Sequence, residues 1–194
     1  MKSVLSKNDI ENFWIRVYLD NSCGYKIAAI KRAYRDFNRT LKGLPQTEEE
    51  RNVLREKWIA ALGSKITELL SHEFTEQEEF TKWHQSTCYR LRTANESYHL
   101  SQGQAQKWIN MTLKYLFALG ETRVSGISKN YAFFHIPIDN IIQEKLEQLG
   151  IPKFETVWSK IPDYDSYNNY QKLVRQVFKD QIPMDVEFKL FNEV

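Results

Sequence analysis

Between Gly103 and Gly120, apolar side chains fall on nearly every side of a helix. Trp108, Ile109, Met111, Leu113, Tyr115, Leu116, Phe117 and Leu119 leave Lys107, Asn110 and Lys114, at i, i+3 and i+7, as the only polar stripe. A helix apolar around most of its circumference is a buried one. The rest of the chain therefore has to cover it, and Lys107 has to project from the first turn of an otherwise enclosed helix. Gly120 is placed to end it.

The flanking sequence also reads as helix. Seven glycines and five prolines in 194 residues leave long uninterrupted segments, and alternating β-branched runs are scarce, which argues for an all-α fold. Ile10, Phe13, Trp14 and Val17 set an inward face for a helix over 9–19. Over 25–42, Ile27, Ile30, Tyr34, Phe37 and Leu41, followed by Leu44, make one apolar stripe, and Lys31, Arg35, Arg39 and Lys42 make a separate basic one. That basic stripe suits phosphate contact, although a solvated face has the same look. Thr47 and Glu50 form a capping-box pattern before a helix over 48–71 that Gly63 could interrupt. A further helix runs from about 75 to 91, and 93–97 is a loop. Residues 121–135 read as a loop with an extended piece at Tyr131–Phe134. Pro137 biases Ile136 away from helix, so Asp139 becomes a natural N-cap for a helix through Leu149. Asp163 or Asp165 caps another through Lys179, and the alternating tail 182–194 is a strand or a loosely packed extension.

Charge and composition narrow the function classes. A net charge of +2 means that any nucleic-acid binding must come from a local patch. Cys23 and Cys88 are far apart and lack a partner motif, so neither a disulfide framework, a zinc site nor an iron–sulfur cluster is expected, and no cofactor is implied. The polar N-terminus lacks the apolar core of a signal peptide, and no apolar run approaches the roughly 20 residues of a membrane span. A cytoplasmic monomer is the expectation.

Two helix starts carry the chemistry. Gly103 and Ala105 let the backbone approach something bulky, and unpaired amides at a helix N-terminus form an anion site that suits a DNA phosphate. Burial would favour the neutral amine of Lys107, and the next helix start would favour ionised Asp139. An amine and a carboxylate facing one another can capture or stabilise a cationic sugar as a base departs.

The run Gly103-x-Ala105-x-Lys107-x-x-Asn110 resembles the second half of the helix-hairpin-helix signature of base-excision DNA glycosylases. Ile136-Pro137-Ile138-Asp139 is similar to that family's following Pro-Val-Asp segment. The resemblance covers about residues 97–149 of what reads as one domain, 1–194. It implies two helical subdomains around a cleft, a double-stranded DNA partner, and a target base flipped into a pocket between them. Asp139 and Lys107 would be catalytic. Gly103, Gln104 and Ala105, together with Lys114, Lys31, Arg35 and Arg39, would contact DNA. Tyr98, His99, Asn110, Phe134 and His135 would border the base. Tyr98, His99 and Phe134 serve core packing equally well, and His135 fits better as a satisfied histidine beneath a loop. Ala105 stands where the family has a second glycine, Ser101-Gln102 where leucine-proline is usual, and Asn140 where many members have threonine; the 32-position gap from Lys107 to Asp139 is long. These departures suggest a bulky modified base in foreign, phage-derived DNA, with the insertion 121–135 choosing it. The alternative is a non-catalytic helical module that binds DNA or a protein partner, with Asp139 serving only as a cap.

Overall fold

The computed structural model describes residues 4–193; residues 1–3 and 194, the outer ends of the N-terminal segment and the tail, lie outside it. Every regular element among the described residues is helical. The α-helices are α1 Lys7–Leu19, α2 Tyr25–Phe37, α3 Glu48–Ser71, α4 Gln77–Thr93, α5 Gln102–Leu119, α6 Asn140–Gln148, α7 Tyr164–Val177 and α8 Pro183–Asn192. No helix among these residues is long and apolar enough to cross a membrane.

Helix starts follow side-chain chemistry. Ser6, Thr47, Ser101, Asp139 and Asp163 each accept a hydrogen bond from an amide three residues on, which satisfies one of the four free N–H groups of a first turn. Pro183 occupies the first turn of α8, where its missing N–H costs nothing.

Helix α5 lies at the centre. Ala28, Ala29 and Ala33 bring α2 close against it, and Trp108 of α5 donates from Nε1 to Ile30 O at 2.9 Å. Its indole sits among Tyr34, Phe37 and Trp58, with ring centroids 5.2, 5.3 and 6.1 Å away. On the opposite side α4 and α7 pack on α5, and Phe74, Phe80, Trp83 and Phe134 form a second aromatic group. The buried apolar residues make one connected cluster from Leu19 to Leu190, rather than two separate cores.

Four expectations from sequence are corrected. Helix α1 forms, but Ile10, Phe13, Trp14 and Val17, expected to face inward, are 50–62% exposed, with Trp14 at the rim of a groove against Leu119 and Phe191. Residues 128–133 form a 3₁₀ segment rather than an extended piece. The insertion that contains them is tied down by Asn130, which donates to Leu69 O and His72 O at the end of α3 and accepts from Phe74 N. The tail is helix α8, docked against α6 by apolar contacts and by Lys145 donating to Leu190 O. Gly63 does not break α3; it faces the Cδ1 atoms of Ile27 and Ile30 at 3.9 Å.

Candidate functional site

The start of α5 is closed rather than open. Ser101 caps it, accepting from Gln104 N at 3.0 Å, while Gln104 Oε1 accepts from Ser101 N. Gly103 is therefore already helical, and no tight turn exists there. The 3₁₀ segment Trp158–Lys160 lies directly across this first turn: Ser101 Oγ donates to Ser159 O at 2.6 Å, and a Cβ at Gly103 would fall 1.9 Å from Trp158 O. The bulky object that Gly103 admits is thus the chain's own backbone. Gln104 donates to Thr40 through its amide, and Ala105 is fully buried. Gly103, Gln104 and Ala105 face protein, so the DNA-contact role expected for them is not met.

Lys107 and Asp139, 32 positions apart, meet: Nζ donates to Oδ2 at 2.6 Å. The lysine side chain is 6% exposed and the aspartate 25%. Asp139 is doubly held, because Oδ1 also accepts the capping bond from Ile142 N at 2.9 Å.

What places Asp139 is a pair of buried glutamines. Gln106 of α5 donates to Ile138 O at 2.8 Å and accepts from Ile138 N at 3.2 Å. Gln171 of α7 does the same for Ile136, at 2.9 and 3.1 Å. Each amide satisfies both backbone groups of one residue, on either side of Pro137, which has no N–H to satisfy. The strand-like segment 136–138 is clamped from two helices, and Asp139 emerges at its end.

Asn110 belongs to the same interior network. It donates to Ile136 O and Gln106 Oε1 at 3.1 Å and to Tyr167 OH at 2.8 Å, while His84 Nε2 donates to its Oδ1 at 3.1 Å. Tyr167 OH, which accepts from Asn110, donates in turn to His135 Nδ1, 2.9 Å away. Burial pulls the His84 pKa down to about 3, and burial together with nearby His84 and Arg175 drives His135 well below the ordinary histidine range. Both rings are neutral structural members. Asn110, Phe134 and His135 are at most 1% exposed, so none borders an accessible base site. Tyr98 packs edge-on to Trp58 and donates to Lys42 O, and His99 bonds Arg92 O; both lie away from Lys107 and Asp139.

The pair instead opens onto a pocket of about 380 Å³ lined by Tyr18, Arg32, Arg35, Asp36, Arg39, Lys107, Met111, Lys114, Tyr115, Asp139, Ile141 and Phe191. On α5 the pocket face is Lys107, Met111, Lys114 and Tyr115, whereas Gln106 and Asn110 turn to the core. The expected stripe through Lys107, Asn110 and Lys114 is therefore split. Arg32 pairs with Asp36, stacks over the Tyr18 ring with 4.4 Å to its centroid, and donates to Tyr18 OH. Tyr115 donates to the other Asp36 oxygen at 2.8 Å. Lys114 is not a free cation: it pairs with buried Glu187 of α8 at 2.5 Å, beneath Phe188 and Phe191. Burial raises the Glu187 carboxyl above the usual carboxylate range, against the pull of Lys114. Arg35 and Arg39 are exposed and, among the described residues, make no side-chain hydrogen bond or ion pair. Lys31 lies beyond Arg35 on an adjoining surface, with Asn38 and Arg55. No residue of the insertion 121–135 lines this pocket.

Sequence reading missed Tyr18, Arg32, Asp36, Met111, Tyr115, Ile141 and Phe191. Met111 and Tyr115 follow Lys107 at helical spacing and were legible on that ground; Tyr18 and Phe191 arrive from the two ends of the chain, which no local signal reveals. Among the described residues no group of three or more His, Cys, Asp or Glu is arranged to hold a metal ion. The chain matches no protein-family model, and no curated protein or solved structure is significantly similar to it.

Proposed function

We propose that this pocket is the active site of a DNA glycosylase, which extrudes a damaged or modified base from duplex DNA and cleaves its N-glycosidic bond to leave an abasic site. The observation that carries the reading is the 2.6 Å contact between Lys107 and Asp139 in a pocket that also holds the unpaired Arg35 and Arg39. Further support is the likeness of the segments at Gly103–Asn110 and Ile136–Asp139 to helix-hairpin-helix glycosylases. In this reading the base leaves with the electron pair of the C1′–N bond, and the Asp139 carboxylate stabilises the cationic sugar. Water then adds to C1′ in a monofunctional enzyme. In a bifunctional one, Lys107 Nζ gives a proton to Asp139 Oδ2 and the free amine forms a bond to C1′ of the sugar. Arg35, Arg39 and Lys31 neutralise backbone phosphates, which positions the duplex without reading its sequence. Tyr18, Tyr115 and Phe191 offer aromatic faces to the extruded base. A pocket of about 380 Å³ accommodates a base with a substituent, consistent with a modified base of phage DNA.

A second reading rests on one observation: both Asp139 oxygens already have structural partners, Ile142 N and Lys107. A non-catalytic DNA- or partner-binding module would need no more. The discriminating experiment incubates the protein with duplexes carrying a range of modified bases and then applies hot alkali. Asp139→Asn keeps a capping side chain, so loss of alkali-labile sites in that variant, with binding and folding retained, is the expected outcome. Borohydride trapping that disappears in Lys107→Ala identifies the lyase route. Tight binding with no cleavage on any substrate overturns the enzyme reading in favour of the module.

A further inference from the structure

Helix α1 leaves its apolar stripe largely uncovered, with Trp14 at the rim of a groove shared with Leu119, Phe188 and Phe191. Ile10, Phe13, Trp14 and Val17 are 50, 58, 62 and 62% exposed, while the opposite side of the same helix, through Ile15 and Leu19, rests on the body. Four large apolar side chains at i, i+3, i+4 and i+7 form a helix-docking face that none of the other helices among the described residues covers. The charges beside it select the occupant. Asp9 and Arg16 lie on one flank of the stripe, two turns apart and of opposite sign. Two copies of such a helix, antiparallel about a two-fold axis near Phe13 and Trp14, set Ile10 against the partner's Val17 and Asp9 beside the partner's Arg16, each contact occurring twice. An isologous interface requires this self-complementarity, and an antiparallel helix pair brings like flank to like flank. The helix also carries Glu11, which pairs with Arg123 of the body, and Asp20 follows it, so Asp9, Glu11 and Asp20 are balanced by Lys7, Arg16 and Arg123. Without a cationic excess, the face lacks the charge that draws a helix to an anionic lipid surface or a DNA backbone.

We infer that the outward face of α1 is a homodimer interface, in which Ile10, Phe13, Trp14 and Val17 are covered by the same residues of a second copy and register is fixed by Asp9 and the partner's Arg16. The inference does not depend on the glycosylase reading. The experiment is sedimentation velocity on the full chain over a wide concentration range, with circular dichroism on every variant. The expected result is a reversible dimer that Val17→Asp converts to monomer without loss of helicity, since Val17 is already exposed. Arg16→Asp raises the dimer dissociation constant about tenfold by turning two exposed pairs repulsive. The double variant Asp9→Arg, Arg16→Asp recovers dimerisation. Because Asp9 belongs to the α1 capping box, lost capping alone weakens the helix in the double variant and cannot produce that recovery. A chain that stays monomeric throughout, a dimer indifferent to Val17→Asp, or a charge swap that fails to recover overturns the proposal. Binding of the monomer to phosphatidylglycerol vesicles in co-sedimentation, abolished by Val17→Asp, also overturns it and gives the face to lipid instead.

Discussion

Two glycines in α-helices show how differently one residue type can be constrained. Gly103 has ordinary helical backbone, yet a Cβ there would meet Trp158 O at 1.9 Å, Trp158 C at 2.9 Å and Ser159 Cα at 3.0 Å. All three atoms are main chain and cannot rotate away. Gly103→Ala is therefore expected to cost about 3 kcal/mol in urea unfolding, at the upper end for overpacking, by forcing the Trp158–Lys160 segment off the start of α5. At Gly63 the nearest atoms are two isoleucine methyl groups at 3.9 Å, ordinary contact. Gly63→Ala should stabilise by about 0.5–1 kcal/mol, the usual helix-propensity gain. If the two substitutions have similar effects, the reading of Gly103 as a packing glycine is wrong. Sequence alone justified a close approach at Gly103; it could not say whether a phosphate or the chain's own carbonyl would fill the space.

At the scale of elements, the short segment 136–138 matters more than its length suggests. It makes no regular structure, and its backbone groups are satisfied by Gln106 and Gln171, from two helices far apart in sequence. Gln106→Leu leaves both Ile138 N and Ile138 O unpaired, whereas Gln171→Leu orphans only Ile136 N, because Asn110 still donates to Ile136 O; each lost group costs about 1–3 kcal/mol. The sharper readout is hydrogen exchange. The Ile138 amide should lose protection in Gln106→Leu and the Ile136 amide in Gln171→Leu, while amides in the middle of α3 keep theirs. Unchanged protection at both would show that the clamp does not hold the segment. The same comparison explains what was legible. Helix α6 and its cap Asp139 follow from local chemistry, because an N-cap is decided within four residues. The tail was misread because alternation in 182–194 resembles a strand, whereas packing of Phe188 and the Lys114–Glu187 pair draws it into helix α8. Likewise the apolar stripe of α1 identified a helix, but not which side of it faces the protein.

Across the whole molecule, the buried His84–Asn110–Tyr167–His135 network couples stability to pH. In the unfolded chain a histidine titrates near pH 6.5. In the fold both rings are held below that value, His84 down to about 3. The folded state thus binds fewer protons, so stability is complete above about pH 6.5 and declines as pH falls through the interval down to about 3. At about 1.4 kcal/mol per pH unit, His84 alone should remove about 2 kcal/mol between pH 8 and pH 5, and His135 adds to the loss in the same direction. Urea unfolding across that range measures it, and His84→Gln should make the slope shallower. A flat profile would mean that the rings titrate in the fold.

The amino-acid sequence by itself determined the all-α class, the buried character of α5, the capped starts of α3, α6 and α7, and the order of the two segments that bring Lys107 and Asp139 into consideration. Each of these depends on spacing or on contacts within a few residues. Only the tertiary structure decided that Lys107 and Asp139 touch, that Arg35 and Arg39 share their pocket, that Asn110 and His135 belong to the core, and that the insertion 121–135 lies elsewhere. Those outcomes depend on which faces of distant helices are pressed together. A helix presents several faces with similar composition, and the burial of roughly forty apolar side chains in one cluster, rather than any local preference, selects among them.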